Sequence, residues 1–132
     1  MKEYALSQGL TDVPARQLRD GTALELIRSL APELTVVAAY GRILPEDILA
    51  APKLGSINVH SSLLPKYRGA AINWAVLNGD AVTGVTIIWP GAGRQDIISA
   101  AETPIDPDED ALTLTNRLAE LGAGPCPGRC RR

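Results

Sequence analysis

Three short apolar runs constrain the fold of this chain more than any other feature. They are LTVVAAY at residues 34–40, SINVHSS at 56–62 and GVTIIW at 84–89. A strand with one wet face alternates polar and apolar residues, because successive side chains point to opposite faces. These runs do not alternate, and they are rich in β-branched residues. That is the pattern of strands covered on both faces, as in a parallel sheet. Helical stretches stand around them. KEYALSQGL reads as the end of a helix stopped at Gly9. DGTALELIRSLAPEL places Leu24, Ile27 and Leu30 on one stripe, with Asp20 or Thr22 to cap the helix and Pro32 to end it. PEDILAAPKLG is a short helix with Pro45 in its first turn, and GAAINWAVLNGD is a helix closed by NGD. DIISAAETPI is a further extended segment. DPDEDALTLTNRLAELG is a final helix with acidic residues at its positive end. Helices alternating with buried strands predict the α/β class, with a mostly parallel sheet flanked by helices.

The 132 residues suit one domain. A net charge of −2 gives no global attraction to nucleic acid or to anionic membrane, so any such contact has to be local. No apolar run approaches the roughly 20 residues of a membrane helix, and MKEYALSQGL lacks the apolar core of a signal peptide. The expected location is cytoplasmic. Cys126 and Cys130 supply half of a zinc site at most, with His60 far away in sequence. The segment around them reads as an unstructured tail with free thiols. The acidic DPDED reads as a solvated helix start, Trp74 and Trp89 as core residues, and Lys66 and Arg68 equally as turn charges or as anion contacts.

In open α/β sheets, ligands bind beyond the carboxyl ends of the strands. YGRILP and NVHSSLLP each directly follow a strand and so fall there. Asn58 and His60, the only histidine, are two apart on an extended chain and share a face. An amide NH2 and an imidazole aimed at one point form a cradle for a carbonyl oxygen becoming an oxyanion, and the imidazole can also carry a proton. The same residues equally suit a structural role, with His60 bonded to a carbonyl and Asn58 in a turn.

The literal sequence resembles the folate-dependent formyltransferases, and among them the methionyl-tRNA formyltransferases most closely. The resemblance rests on LAPELTVVAAYGRILPEDILAAPKLGSINVHSSLLPKYRGAA, INWAVLNGDAVTGVTIIW and DIISAAETPID. It covers residues 1–121, a partial and N-terminally truncated Rossmann-like catalytic domain, with 122–132 as the tail. It implies transfer of a formyl group from 10-formyltetrahydrofolate to the amino group of methionyl initiator tRNA. The other readings are a glycinamide ribonucleotide-type formyltransferase, which YRGAA argues against, and a non-catalytic folate-binding fragment. By resemblance, Asn58 holds the formyl oxygen, and His60 stabilises the oxyanion and moves a proton. Arg42, Ile43 and Leu44 line the pterin pocket, and Ser62, Leu63, Leu64 and Pro65 line the tetrahydrofolate site. No metal is implied, since an N-formyl folate is already activated.

Three departures accompany the resemblance. The family carries a catalytic Asp in a Gly-Leu-Asp loop after the third apolar run, where this chain reads WPGAGRQDIIS. Asp96 aligns with the second Asp of that loop, not the catalytic one, so the catalytic carboxylate is expected to be missing, with Asp96 as a candidate substitute. The family's Pro between Ala71 and Ile72 is also missing. The family's first strands, its basic insertion and its C-terminal tRNA-binding domain have no counterpart in these residues, so weak or absent activity is expected of the chain alone.

Overall fold

The structure, a computed structural model, describes residues 2–10, 21–90 and 95–124. Helices α1 (Lys2–Ser7) and α2 (Thr22–Leu30) precede strand β1 (Thr35–Ala38). Helix α3 (Glu46–Ala50), strand β2 (Ser56–His60) and helix α4 (Ala71–Leu77) follow. Strands β3 (Val82–Pro90) and β4 (Gln95–Pro104) come next, and helix α5 (Ala111–Ala123) closes the described fold. The four strands form one sheet in the order β1-β2-β3-β4.

The α/β class is as expected, but the sheet is mixed rather than mostly parallel. Only β1 and β2 run parallel, and β3 is antiparallel to both β2 and β4. Chain connectivity explains this. Residues 39–55, with α3 among them, are long enough for the crossover that a parallel pair needs, which takes about a dozen residues. Only residues 91–94 separate β3 from β4, so this pair has to be a hairpin. Between Ile87 and Ile88 the β3–β4 register shifts, and Ile98 is the extra residue of the bulge.

Strand β3 is central and buried along Thr83 to Ile88. Its Val85 and Ile87 pack on Leu114 and Leu118 of α5, with Ile57, Val59, Ile72 and Val76 around them. Fully burying a side chain of this size contributes roughly 1.5–3 kcal/mol. The opposite face carries Ser56, Thr86 and Ile88, all under 3 % exposed. Among the described residues β1 lies at the edge of the sheet, and its face with Val36 (57 % exposed) and Ala38 is open, where cover on both faces was expected.

The helix ends differ from expectation in detail. The N-cap of α2 is Gly21 at φ 86, with no side-chain cap bond, in place of Asp20 or Thr22; Asp20 lies outside the described residues. Leu30 is exposed, so the inward stripe of α2 is shorter than predicted. In contrast, α5 has a true cap: the Asp110 carboxylate accepts from the Thr113 amide at 2.7 Å. That bond holds the Asp110 carboxyl below its ordinary range. Trp74 and Trp89 are half-exposed rather than core. Trp89 lies so close over Gly55 (φ 71) that a Cβ there would stand 2.9 Å from its ring. Among the described residues, no helix is long and apolar enough to cross a membrane.

Candidate functional site

Because β1 and β2 are parallel neighbours, their carboxyl ends lie side by side. The loops that follow them, residues 39–44 and 61–70, therefore meet at one end of the sheet. Between them opens a cleft of about 810 Å³, bounded also by the first turn of α4. That volume suits a small-molecule ligand, for which sites span roughly 300–1,000 Å³. Asn58 and His60 line the cleft from β2, and Arg42, Ile43 and Leu44 line it from the β1–α3 loop. These five expected site residues are brought together. Arg68, Asn73 and Tyr40 also line it.

Asn58 and His60 are half-buried. Among the described residues, the Asn58 side chain has no hydrogen-bond partner. His60 is held instead. Its Nε2 lies 3.0 Å from the carbonyl oxygen of Tyr67. A carbonyl only accepts, so Nε2 carries the proton and Nδ1 keeps the lone pair. The ring is thus anchored to a carbonyl, and it also borders the cleft. Among the described residues, the charged groups lining the cleft are Arg42 and Arg68, with no carboxylate beside them. Ile43 is 94 % exposed at its mouth.

Ser62, Leu63, Leu64 and Pro65 were expected on the ligand side; none of them is among the residues lining the cleft, and Ser62, Leu63 and Leu64 turn towards the sheet while Pro65 is exposed. Ser62 is 1 % exposed, and its single hydroxyl proton is shared between the carbonyls of Lys66 (2.8 Å) and Tyr67 (3.2 Å). Thr86, fully buried on β3, donates to the Ser62 carbonyl at 2.6 Å and accepts from the Leu64 amide at 3.1 Å. Leu63 packs against Gly84 in the middle of β3. These contacts turn the run towards the sheet. The Leu64–Pro65 peptide is cis. Thr86 and Tyr67 carried no site expectation. No sequence signal marked Tyr67, because its contribution is a backbone carbonyl.

Asp96 is not brought to the site. Asn58 faces Ile88 across the β2–β3 ladder, while Asp96 faces Trp89, one residue further along β3. Directly opposed residues share a face and successive ones do not. Asp96 therefore stands on the other face of the sheet from Asn58 and His60, and two strands, about 10 Å, away from β2. Residues 91–94, including Gly93 and Arg94 of the altered loop, lie outside the described residues and contain no carboxylate in sequence.

The turn charges have their own partners. Lys66 pairs with Asp80 at 2.8 Å and lies 5.0 Å over the Tyr67 ring. The hydrogen bond raises the Lys66 pKa and lowers that of Asp80. Among the described residues, no group of three or more His, Cys, Asp or Glu is placed to hold a metal ion. The Cys126 and Cys130 segment lies outside the described residues.

Fold and site together define an α/β domain with a free amide and an oriented imidazole at the carboxyl ends of adjacent strands, a site suited to chemistry at a polarised carbonyl. Comparison with known proteins gives the family. The formyl transferase family matches residues 3–127, and this chain belongs to it. It is 46% identical over 127 residues to the methionyl-tRNA formyltransferase of Caldanaerobacter subterraneus subsp. tengcongensis, covering 93% of this chain and 41% of that protein. It is 45% identical over 126 residues to the protein of the same name from Pelobacter propionicus, covering 93% and 40%. The chain thus spans about two-fifths of the length of these curated relatives. Among solved structures, glycinamide ribonucleotide transformylase 1 of Geobacillus kaustophilus superposes with a TM-score of 0.73 at 25% identity, covering 92% of this chain and 70% of that one. Phosphoribosylglycinamide formyltransferase of Anaplasma phagocytophilum gives 0.75 at 26%, covering 92% and 60%.

Proposed function

We propose that this chain carries the formyl-donor site of a methionyl-tRNA formyltransferase. In this reading the cleft takes 10-formyltetrahydrofolate, and the acceptor is the amino group of methionine on initiator tRNA. One observation carries it: an uncommitted Asn58 amide and an anchored His60 border one cleft, in a chain 46% identical to a protein of that name. The residues present suit the donor. Val37, Ile43, Leu44 and Ile72 offer apolar walls to a flat ring system, and Arg42 and Arg68 attract its anionic end or the phosphates of the acceptor.

The chemistry follows from which atoms are free. The acceptor amine nitrogen attacks the formyl carbon, and the formyl oxygen becomes an oxyanion. Asn58 donates a hydrogen bond to that oxygen. Removing one such donor typically costs about 2.7–4 kcal/mol of barrier, or roughly 10²–10³ in rate. The amine gives up a proton as its bond to carbon forms. Nδ1 of His60, the nitrogen with the lone pair, receives that proton and passes it to the folate N10 as the carbon–N10 bond breaks. Protons and electrons balance: the acceptor gains a formyl group and loses one hydrogen, and N10 gains it.

The experiment is single-turnover formylation with the chain in excess over methionyl initiator tRNA and a labelled donor. The expected result is label on the tRNA, reduced about 10²-fold or more in Asn58→Ala and His60→Ala. Glycinamide ribonucleotide in place of the tRNA tests the acceptor named by the solved relatives. Equal transfer by the wild-type chain and both variants overturns the roles of Asn58 and His60.

A further inference from the structure

We infer that Ser62 is a positioning residue for His60: its buried hydroxyl fixes the Tyr67 carbonyl that holds the imidazole in the Nε2–H form. The inference deepens the proposed function and rests on His60 as its proton carrier. The geometry by itself predicts the state of the ring, whether or not formyl transfer occurs.

Two hydrogen bonds converge on one oxygen. The Tyr67 carbonyl accepts from His60 at 3.0 Å and from Ser62 at 3.2 Å, the longer branch of a bifurcated bond in which the single Ser62 hydroxyl proton is shared with the neighbouring Lys66 carbonyl at 2.8 Å. Ser62 is 1 % exposed, so water does not compete for its hydroxyl. Tyr67 sits at φ 55, a left-handed backbone that costs a non-glycine residue of order 1–3 kcal/mol and persists only where its surroundings enforce it. The surroundings do so in this turn. The Tyr67 hydroxyl accepts from Asn78 Nδ2 at 2.6 Å, its ring lies under Lys66, and its carbonyl holds two donors. A turn bent this way aims the carbonyl back at β2. Thr86 fastens the start of the same turn through the Ser62 carbonyl and the Leu64 amide.

The arrangement has a chemical consequence. In many proton-transferring sites an imidazole is oriented by a carboxylate. Residues 91–94 contain no carboxylate, Asp96 stands on the far face, and the described residues lining the cleft include none. A backbone carbonyl is a weaker partner than a carboxylate, so its direction has to be secured. Ser62 secures it. Leaving the carbonyl free to rotate lets the ring reverse its tautomer, which puts the proton on the nitrogen that must receive one.

Because His60 is the only histidine, its ring nitrogens give a single pair of signals in a long-range proton–nitrogen spectrum of the whole chain. At a pH where the ring is neutral, the wild-type chain is expected to show a protonated Nε2 and an unprotonated Nδ1. In Ser62→Ala the two nitrogen signals move toward each other as the tautomers mix. In Ser62→Thr, which keeps the hydroxyl, they stay apart. Ser62→Cys keeps the volume with a weak donor and is expected in between; it replaces Ser62→Ala if that variant does not fold. Averaged signals or a protonated Nδ1 in the wild-type chain overturn the inference without any variant. Unchanged signals in a folded Ser62→Ala or Ser62→Cys overturn the role of Ser62. In the formylation assay Ser62→Ala is expected to lose up to about 10²-fold in kcat with KM unchanged. Separated wild-type signals that mix in Ser62→Ala, with no formyl transfer by any chain, would leave this inference standing and remove the formyltransferase reading alone.

Discussion

Replacing Thr86 by Val should unfasten the turn behind the cleft at almost no change in volume. Thr86 is fully buried, and its hydroxyl makes two bonds: it donates to the Ser62 carbonyl at 2.6 Å and accepts from the Leu64 amide at 3.1 Å. Valine fills the same space and is at least as good a strand former. The cost therefore comes from the two stranded backbone groups. Leaving a buried group unsatisfied costs about 1–3 kcal/mol. The Ser62 carbonyl is deep and carries most of that penalty, while Leu64 is only half-buried and carries less. Together they give about 2–4 kcal/mol, a large share of the roughly 5–15 kcal/mol that keeps a domain folded. For a chain of this length that is roughly 8–16 °C in Tm. The assay is urea unfolding of the wild-type chain, Thr86→Val and Thr86→Ser, comparing midpoints at a constant slope. Ser keeps both bonds and loses one methyl, so it should cost only about 1 kcal/mol. A Val variant as stable as the wild type, or a Ser variant less stable than Val, refutes the argument that the two bonds matter more than the packing.

Three other outcomes follow from the packing and the cap. Gly84→Ala drives a Cβ into the Ala101 carbonyl oxygen and to 2.7 Å from Leu63, so β4 or the turn must shift; thermal unfolding should show a loss at or beyond the upper end of the roughly 1–3 kcal/mol seen for overpacking. Leu118→Ala, at a position 2 % exposed in the α5–β3 core, should cost about 2–5 kcal/mol in urea titration, and a loss under about 1 kcal/mol would mean that α5 is not docked as described. Asp110 has a folded pKa below its ordinary value of 3.8, so its stabilising contribution is complete above that value and disappears as pH falls through the lower folded one. Asp110→Ala should therefore lower stability near neutral pH and flatten the acid limb of a pH–stability curve, whereas an unchanged acid limb would assign the loss to other carboxylates.

Much of the site was legible in the sequence because it is built from local pattern. The apolar runs at 34–40 and 56–62 became β1 and β2, and the loops after them became the cleft, bringing Arg42, Ile43, Leu44, Asn58 and His60 together. Other features depend on neighbours far along the chain. The direction of β3 is set by how the chain returns from α4, which a continuous apolar run does not encode. Asp96 is one residue from the register that would have put it on the site's face, and only the pairing with Trp89 reveals which side it takes. Ser62 was a ligand contact by family resemblance alone. Its partners are carbonyls four and five residues on, and Thr86, which holds its carbonyl, is 24 residues away. Val36, Trp74 and Trp89 read as buried from their residue types, yet they lie on an edge strand, on the outer side of α4 and at the end of β3.

The most direct test of the central claim is calorimetric titration of the chain with 5-formyltetrahydrofolate, a stable stand-in for the donor. The account predicts saturable binding to one site, weakened in Asn58→Ala by roughly 5- to 13-fold, since a hydrogen bond to the formyl oxygen contributes about 1–1.5 kcal/mol. Asp96→Asn, on the opposite face of the sheet, should bind as the wild type does. No heat of binding from a chain that unfolds cooperatively, or an Asn58→Ala variant that binds as tightly as the wild type, would contradict the placing of the formyl group at Asn58 and His60.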